Sequence, residues 1–366
     1  MPFLSLSVFD YRNLQNGTMH LDAKEVYFVG ENGQGKSNLL EALYYASYGT
    51  SFRKKNDMQV IAHGKDAFRI SALYQQENND TQKIQVTYDG KSKRIEKNGK
   101  RIHDRKELIN TIPCVLFCHD DLQFAVGEPG CRRFFIDQSL SLYDAAYIDT
   151  LRNFQTILKN RNIVLKERHY HLLDVYNRQF AESGLAIQQR RKNIIFEFNQ
   201  IFGKLYEDIA GIADVRLEYR PSWREITDGS ERRFPCVDDV INVLNERRGQ
   251  DIAMETTMTG PQRDKIIFMC GKEEFISTAS MGQRRLVVLL LRVAQALYYT
   301  QLTGKKPVLL MDDALLELDL EKREKLTALL PTYDQLICTF LSNEPYERYR
   351  HRTTKVYHIA GGMWYE

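Results

Sequence analysis

The chain has 366 residues, of which 43% are apolar and 27% are charged. These are the fractions of an ordinary globular protein, and they exclude disordered, collagen-like and fibrous chains. Lys and Arg number 51 against 48 Asp and Glu, so the net charge is only +3 and any surface for nucleic acid must be local. The longest aliphatic run, residues 286–291, is far shorter than the ~20 apolar residues of a membrane span. Six scattered cysteines and an N-terminus unlike a signal peptide predict a reduced, cytoplasmic protein.

The N-terminal part of the chain is predicted to be rich in β-structure. Apolar and alternating runs predict strands at 3–9, 25–29, 68–74, 83–88 and 113–117. A helix is expected over residues 36–48. The pair Asn98-Gly99 lies between two short alternating runs, which predicts a type I′ hairpin over residues 94–102.

The middle of the chain has a different pattern. From about residue 139 to residue 207 Gly and Pro are nearly absent and apolar residues recur at helical spacing. We expect an antiparallel pair of helices that turns around Glu182-Ser183-Gly184. From residue 253 onward the patterns predict strands, a long apolar helix over 282–300 and a buried strand over 308–311.

A glycine-rich segment follows the predicted strand at 25–29 and matches G-x-x-x-x-G-K-[ST] at every fixed position. Its members are Gly30, Glu31, Asn32, Gly33, Gln34, Gly35, Lys36 and Ser37. Glycines let the backbone N–H groups approach phosphate oxygens, and the N-terminus of the following helix favours negative charge. The pattern predicts an ATP site in which Lys36 reaches the β- and γ-phosphates and Ser37 ligates Mg²⁺. The alternative is a plain glycine-rich turn before a helix.

Two carboxylates end the predicted strand at 308–311. We expect this strand to lie beside the P-loop strand, so that Asp312 supports the Mg²⁺ held by Ser37. Side chains alternate along a strand, so Asp313 is predicted on the other face, where the chain turns towards the γ-phosphate. There it would act as the catalytic residue that orients the attacking water. The alternative is a strand that ends in a solvated acidic turn.

A third element opens the long apolar helix, 32 residues before Asp312. Its pattern, Ser-x-Gly-Gln, consists of Ser280, Gly282 and Gln283. A serine at a helix N-terminus, with free amides beside it, is a second candidate site for phosphate. Two phosphate sites in one chain are explained if each γ-phosphate lies between two subunits, with this signature acting in trans. The alternative is an ordinary helix N-cap.

These three motifs together resemble the ABC-type ATPase heads of the SMC and Rad50 families, and in detail the RecF family of bacterial recombination mediators. The similarity runs nearly end to end, through residues 5–13, 30–42, 121–137, 158–162, 259–264 and 312–319. It implies an α/β, ABC-type P-loop ATPase core with an inserted helical, arm-like subdomain. The implied division is an N-terminal core part, 1–118, a mainly helical insertion, 119–252, and a C-terminal core part, 253–366.

The resemblance also implies a function: an ATP-dependent DNA-binding protein of gap repair, recombination and replication restart. It would form an ATP-gated homodimer on duplex DNA near single-strand gaps, act as a slow ATPase switch, and work with RecR and RecO away from membranes. The sequence departs from the family pattern at His119, where Pro is expected, at Gln262, where His is expected, and at Leu316, where the D-loop has Ser. No His comes directly after residues 337–340, so a transporter-type H-loop cannot be assigned.

A local basic cluster is the candidate DNA surface. Residues 91–106 carry eight Lys and Arg against two acids, and Lys97, Lys100 and Arg101 surround the predicted hairpin turn. Such a patch can track phosphates without reading sequence, although a merely solvated hairpin is an equal alternative.

Two other functions remain open at this point. A transporter's ATP-hydrolysing subunit has its P-loop and acidic strand much closer together than Lys36 and Asp312, which are 276 positions apart here. A structural SMC-type protein needs hundreds of residues of heptads, whereas the predicted helical insertion is only about 100 residues long. The three functions differ in whether ATP-dependent dimerisation and duplex binding occur together without a membrane partner.

Overall fold

The computed structural model describes residues 2–53, 56–109, 111–228, 231–314, 318 and 320–366. The chain divides into two compact units. We call Met1–Asp121 with Leu289–Glu366 the core unit and Leu122–Val288 the arm unit. The three-part division inferred from the sequence stays a prediction.

The strands, in chain order, are β1 (Phe3–Phe9), β2 (Gly17–His20), β3 (Glu25–Val29), β4 (Phe68–Gln75), β5 (Thr81–Tyr88), β6 (Lys93–Lys97), β7 (Lys100–Ile102), β8 (Cys114–Phe117), β9 (Val215–Arg220), β10 (Ile226–Asp228), β11 (Glu231–Arg233), β12 (Lys265–Cys270), β13 (Glu273–Glu274), β14 (Val308–Met311), β15 (Gln335–Phe340), β16 (Lys355–Ala360) and β17 (Met363–Tyr365). The α-helices are α1 (Lys36–Tyr48), α2 (Gln123–Val126), α3 (Pro129–Ser141), α4 (Ala145–Lys166), α5 (Leu173–Ala210), α6 (Val237–Glu246), α7 (Arg248–Ala253), α8 (Phe275–Thr278), α9 (Met281–Thr303) and α10 (Leu320–Ala328). The predicted bounds of β1, β3, α1 and β14 are confirmed.

A mainly parallel sheet in the core unit carries the P-loop strand. Its order is β17-β16-β3-β15-β14-β8, and within it only β17 pairs antiparallel. Every residue of β3, β14 and β15 is buried, as expected for parallel strands covered on both faces. The expectation that β14 lies beside β3 is wrong, because β15 lies between them. Which parallel strands become neighbours depends on crossover connections that span long stretches of chain. Local sequence patterns do not show where these crossovers lead.

The second sheet of the core unit is antiparallel, in the order β2-β1-β4-β5-β6-β7. Its last two strands form the predicted hairpin, with Asn98 at φ 49° and Gly99 at φ 78°, as a type I′ turn requires. The side chain of Asn98 accepts a hydrogen bond from the Lys83 N–H at 2.8 Å and so ties the turn to β5.

The arm unit is built on α4 and α5. Their side chains meet in antiparallel order, with Phe154 on Phe180 (ring centroids 5.2 Å apart) and Arg161 on Asn177 (3.0 Å). The predicted turn at 182–184 is wrong, since α5 continues through it and the chain turns between α4 and α5 instead. Gly184 is there for packing: a Cβ atom on it would lie 2.6 Å from the Trp223 ring.

The long apolar helix α9 matches the predicted one, with one more residue at its N-terminal end and three more at its C-terminal end. Within the described part of the chain it is long and apolar enough, by length and composition, to cross a membrane. However, 67% of its most apolar window is buried inside the protein, which is the behaviour of a core helix.

Candidate nucleotide site

The glycine-rich loop joins β3 to α1 in the core unit. Gly35 caps α1 with φ 117°, a conformation that side-chain-bearing residues rarely adopt, and a Cβ atom there would lie 2.9 Å from Leu14. A Cβ atom on Gly30 would lie 2.4 Å from the carbonyl oxygen of Ile359. The glycines therefore allow a tight loop whose backbone amides line the start of the helix.

Lys36 is buried although it is charged. Its ammonium group donates to the carbonyl oxygens of Gly30 at 2.8 Å and Glu31 at 3.0 Å. A buried ammonium needs such partners, since an unpaired buried charge is costly. The loop thus holds one positive charge at its centre.

Ser37 and Asp312 lie together, although they are far apart in the sequence. The Ser37 hydroxyl donates to Asp312 Oδ1 at 2.7 Å. Burial raises the pKa of Asp312, the hydrogen bond from Ser37 lowers it in part, and the charge of Asp313 raises it again. An oxygen pair of this kind, at the end of a buried strand, is the donor set that Mg²⁺ takes in P-loop proteins.

Thr339, near the end of β15, connects the two carboxylates. Its hydroxyl donates to Asp313 Oδ1 at 2.8 Å, lies 3.3 Å from Asp312 Oδ1, and accepts from the Asp313 N–H at 2.7 Å. Sequence reasoning missed this residue. A Thr in an apolar β-run is an ordinary strand residue, and its role follows only from the position of β15 between β3 and β14.

The prediction that Asp313 faces away from Asp312 is wrong. Both carboxylates contact the same Thr339 hydroxyl. Asp313 lies beyond the last residue of β14 and has φ 49°, in the left-handed region, so strand alternation no longer applies to it. The turn places both acids on the side of the sheet that Ser37 occupies.

A buried carboxylate on α1 organises the flank of the loop. Glu41 accepts two hydrogen bonds from Arg12, at 2.9 and 2.8 Å, one from Arg53 at 2.7 Å, and one from Ser51 at 2.5 Å. Burial alone would raise the pKa of Glu41, but these two arginines and the Ser51 hydroxyl lower it to about 2. Glu41 is therefore ionised, and it fixes two guanidinium groups close to the start of α1.

The C-terminal turn also packs on the loop. The Gly361 N–H donates to Gln34 Oε1 at 2.6 Å, and the Gly362 N–H donates to the Gln34 carbonyl at 3.0 Å. Asn13, next to this turn, donates to the carbonyl of Gly33 at 3.1 Å. The loop conformation is therefore held by segments from both ends of the chain.

The predicted signature lies in the arm unit at the start of α9. Ser280 and Gln283 form a reciprocal cap: the Ser280 hydroxyl accepts from the Gln283 N–H at 3.3 Å, and Gln283 Oε1 accepts from the Ser280 N–H at 2.7 Å. Gly282 is exposed, with no atom within 4 Å of a Cβ built on it. Met281 between them is 62% exposed, which is high for a large apolar side chain.

The candidate DNA residues lie at the end of the β6–β7 hairpin. Lys97 lies directly opposite Lys100, and Arg101 lies opposite Glu96. Lys100 and Arg101 are exposed and Lys97 is half-buried. The hairpin thus presents a compact group of cations on the surface of the core unit.

The departures from the family pattern have separate positions. His119 is exposed in a short 3₁₀ helix, where the buried carboxylate is Asp121, paired with Arg292 at 2.6 Å. Gln262, in the arm unit, donates to the Thr259 carbonyl at 2.8 Å. Leu316 lies outside the described residues. Within the part of the chain that the structure describes, no group of three or more His, Cys, Asp or Glu side chains is arranged to hold a metal ion.

Comparison with known proteins identifies the family of this chain. Residues 3–364 match the model of the RecF/RecN/SMC N-terminal domain family. A DNA replication and repair protein RecF of Treponema pallidum is 46% identical over 363 residues, which is 99% of this chain and 100% of that protein. The chain belongs to the RecF family. A Clostridium perfringens RecF is 31% identical and covers 99% of both chains.

Solved structures confirm the predicted ABC-type α/β fold. The recombination mediator protein RecF bound to ATP, from the RecFOR pathway, has a TM-score of 0.86 at 24% identity, covering 100% of this chain and 97% of that one. The Smc head domain of Pyrococcus furiosus has a TM-score of 0.57 at 15% identity, with 100% and 95% coverage. The chain is thus a RecF-family member with an SMC-head-like core.

Proposed function

We propose that this chain is an ATP-dependent DNA-binding protein of gap repair, recombination and replication restart. Its ATP-bound form closes as a homodimer on duplex DNA beside a single-strand gap. The observation that carries the proposal is the convergence of Lys36, Ser37 and Asp312 in one loop-and-strand site. Membership of a family of DNA replication and repair proteins supports the use of that site on DNA.

The residues present fit ATP and Mg²⁺. The loop of Gly30 to Ser37 offers backbone amides and one ammonium group to the phosphates. The space beside Gly33 is open, since a Cβ atom built there would meet no atom within 4 Å. Ser37 and Asp312 offer two oxygens to a divalent cation, which would offset the burial that disfavours the charged form of Asp312. When bound, the metal–nucleotide pair supplies the phosphoryl group and charge neutralisation.

Hydrolysis depends on the pair formed by Asp313 and Thr339. Thr339 holds the Asp313 carboxylate, so that this acid can accept a proton from, or orient, a water near the γ-phosphate. An Asp carboxylate reaches less far than the Glu common in related ATPases. Turnover is therefore slow, which suits a switch better than a motor.

The signature of Ser280, Gly282 and Gln283 completes the site of the partner subunit. Its exposed helix N-terminus and the exposed Met281 side chain suit contact with the phosphates and protein surface of a second copy. Each γ-phosphate would lie between two copies, so that ATP joins them and hydrolysis separates them.

DNA contacts are assigned to the cations of the β6–β7 hairpin: Lys97, Lys100 and Arg101. Lys97 and Lys100 are cations that lie opposite each other. Such a group of charges favours contact with phosphates, which carry no sequence information, rather than with bases. RecR and RecO are the partners implied by the family, and the cytoplasm is the compartment implied. Duplex and gapped DNA are the proposed ligands.

Mixing two variants tests the composite site. Ser280→Arg fills the helix N-terminus, and Lys36→Ala removes the loop charge. Neither variant dimerises alone with ATP and Mg²⁺, whereas their mixture forms heterodimers with one intact site, as measured by light scattering. Ser280→Ala is the matched control, because it removes only the cap, at about 1 kcal/mol of helix stability, and leaves the space open. If Ser280→Arg dimerises like the wild type, Ser280 is only a helix cap.

A further inference from the structure

A wide groove of about 1360 Å³ opens on the surface of the arm unit. None of the residues of the nucleotide site is among the described residues that line it. Residues from α5, β9, β10, α6 and β12 line it, together with the segment that follows β9. One wall is fixed by Asp264, which is fully buried and accepts hydrogen bonds from the Tyr219 hydroxyl at 2.5 Å and the Ser222 N–H at 2.8 Å. The groove therefore has a built frame.

The charge around this groove is strongly positive. Of the described residues that line it, six are cationic and two are acidic, in a chain whose overall charge is only +3. Arg263 and Lys265, on either side of the buried Asp264, are both exposed. Among the described residues neither forms an ion pair, and the same is true of Arg247. The positive charge is thus left for an anionic partner to neutralise.

Two of these cations oppose each other in the sheet. Lys265 on β12 lies directly across from Arg220 on β9, and like charges in that position destabilise a sheet. Glu218 pairs with Arg220 at 2.5 Å and so compensates the charge of Arg220, but not that of Lys265. An arrangement that costs stability without a ligand indicates a site that an anion occupies.

The floor of the groove is apolar, and this feature indicates which class of anionic partner the groove can bind. Pro221, Ile226, Phe234 and Val243 line it and are all half-buried, so apolar surface remains open. A DNA duplex presents phosphates but no apolar surface to such a floor. A single strand stacks successive bases on several aromatic faces. Of the described aromatic residues that line this groove, Trp223 is only 2% exposed and Tyr219 is held by Asp264 through its hydroxyl, which leaves Phe234 as a single face. Aliphatic and aromatic side chains of a polypeptide fit this floor, and carboxylates fit the cationic walls.

We propose that this groove binds an extended acidic segment of a partner protein, with apolar side chains between its carboxylates. The outer edge of β9 is covered at Leu217, whose N–H and carbonyl both bond the Asn199 side chain of α5 at 2.8 Å, so the groove holds the segment through its side chains rather than by strand pairing. Successive side chains of an extended segment point to opposite sides, so carboxylates and apolar groups can alternate between wall and floor. A groove of this size gives a small, transient interface rather than an obligate one. This activity is independent of ATP and of DNA and goes beyond the proposed function.

The test uses a fluorescent twelve-residue peptide in which Asp or Glu alternates with Leu or Phe, measured by anisotropy without nucleotide. We expect a Kd on the order of 10 µM at low salt, weakening as salt screens the charges. The double variant Arg263→Glu with Lys265→Glu weakens binding at least tenfold. Lys265→Glu places an opposite charge across from Arg220, so the sheet is retained, and an unchanged thermal melt shows this.

The matched control is the double variant Lys204→Glu with Lys272→Glu, an equal charge change at two exposed sites outside the groove, and it leaves peptide binding unchanged. A second peptide with Ser in place of every apolar residue binds more weakly if the floor takes part. The proposal is overturned if the first peptide does not bind, or binds the groove variant and the control equally. It is also overturned if a twelve-nucleotide oligo-dT binds in a groove-dependent manner and the acidic peptide does not compete with it.

Discussion

Replacing Thr339 by Val separates nucleotide binding from hydrolysis. The side chain is 4% exposed, and Val has nearly its shape, so the change removes a hydroxyl group and little else. That hydroxyl accepts from the Asp313 N–H at 2.7 Å and donates to Asp313 Oδ1 at 2.8 Å. Its 3.3 Å approach to Asp312 is the longer one, and Asp312 keeps its hydrogen bond from Ser37. We therefore expect the variant to disturb Asp313 much more than Asp312.

The expected magnitude follows from these contacts. Losing a charge-assisted hydrogen bond and leaving one N–H unpaired costs about 2–4 kcal/mol. Asp313 has φ 49°, which carries about 1–2 kcal/mol of strain, so it relaxes once the hydroxyl is gone. A displaced carboxylate should lower the rate of ATP hydrolysis about 10²-fold, or about 2.7 kcal/mol of barrier. ATP affinity should stay within about threefold of the wild type.

Single-turnover hydrolysis and titration with a fluorescent ATP analogue measure the two quantities. Thr339→Ser keeps the hydroxyl and is the control, with hydrolysis within about threefold of the wild type. Wild-type hydrolysis by the Val variant, or a tenfold loss of its ATP affinity, would refute the reasoning that Thr339 acts through Asp313.

Three further changes test other parts of the account. Lys36→Ala should weaken ATP binding at least tenfold, about 1.4 kcal/mol, by calorimetry, and wild-type affinity would show that the P-loop assignment is wrong. Glu41, with its pKa lowered from 4.5 to about 2, stabilises the fold fully above pH 4.5 and loses that contribution, about 3 kcal/mol, as the pH falls towards 2. Glu41→Gln should remove this part of the acid dependence in denaturant titrations; an unchanged acid profile would contradict the assignment. Reversing Lys97, Lys100 and Arg101 together should weaken duplex binding and flatten its salt dependence in anisotropy titrations, and equal affinity at low and moderate salt in the wild type would count against phosphate contacts.

The sequence predicts well where one local pattern contains the whole signal. The bounds of β3 and α1 follow from an apolar run, a glycine-rich loop and a helical pattern placed end to end. The Asn98-Gly99 turn follows from the two positive φ angles that only a few residue types accept. In both cases neighbouring residues decide the structure, so no knowledge of the remaining fold is needed.

The errors arise where distant segments decide. The position of β15 between β3 and β14 depends on long crossovers, and it is this position that makes Thr339 part of the site. Glycine is a poor helix former, so Gly184 suggests a turn, but the ring of Trp223 packs against it and the helix continues. Asp313 lies two residues beyond the end of β14 and has φ 49°, so strand alternation predicts the wrong face for it. The groove of the arm unit is assembled from five elements and has no local signal at all.

The most direct test of the central claim is Asp313→Asn, examined by size-exclusion chromatography and light scattering with ATP and Mg²⁺. The change keeps the size of the side chain and most of its hydrogen bonds, including the one from Thr339. The account predicts unchanged ATP affinity, hydrolysis slower by about 10²-fold or more, and a long-lived ATP-bound dimer that retains DNA. A variant that hydrolyses ATP at the wild-type rate, or that never dimerises, would contradict an ATP-gated dimer whose release depends on Asp313.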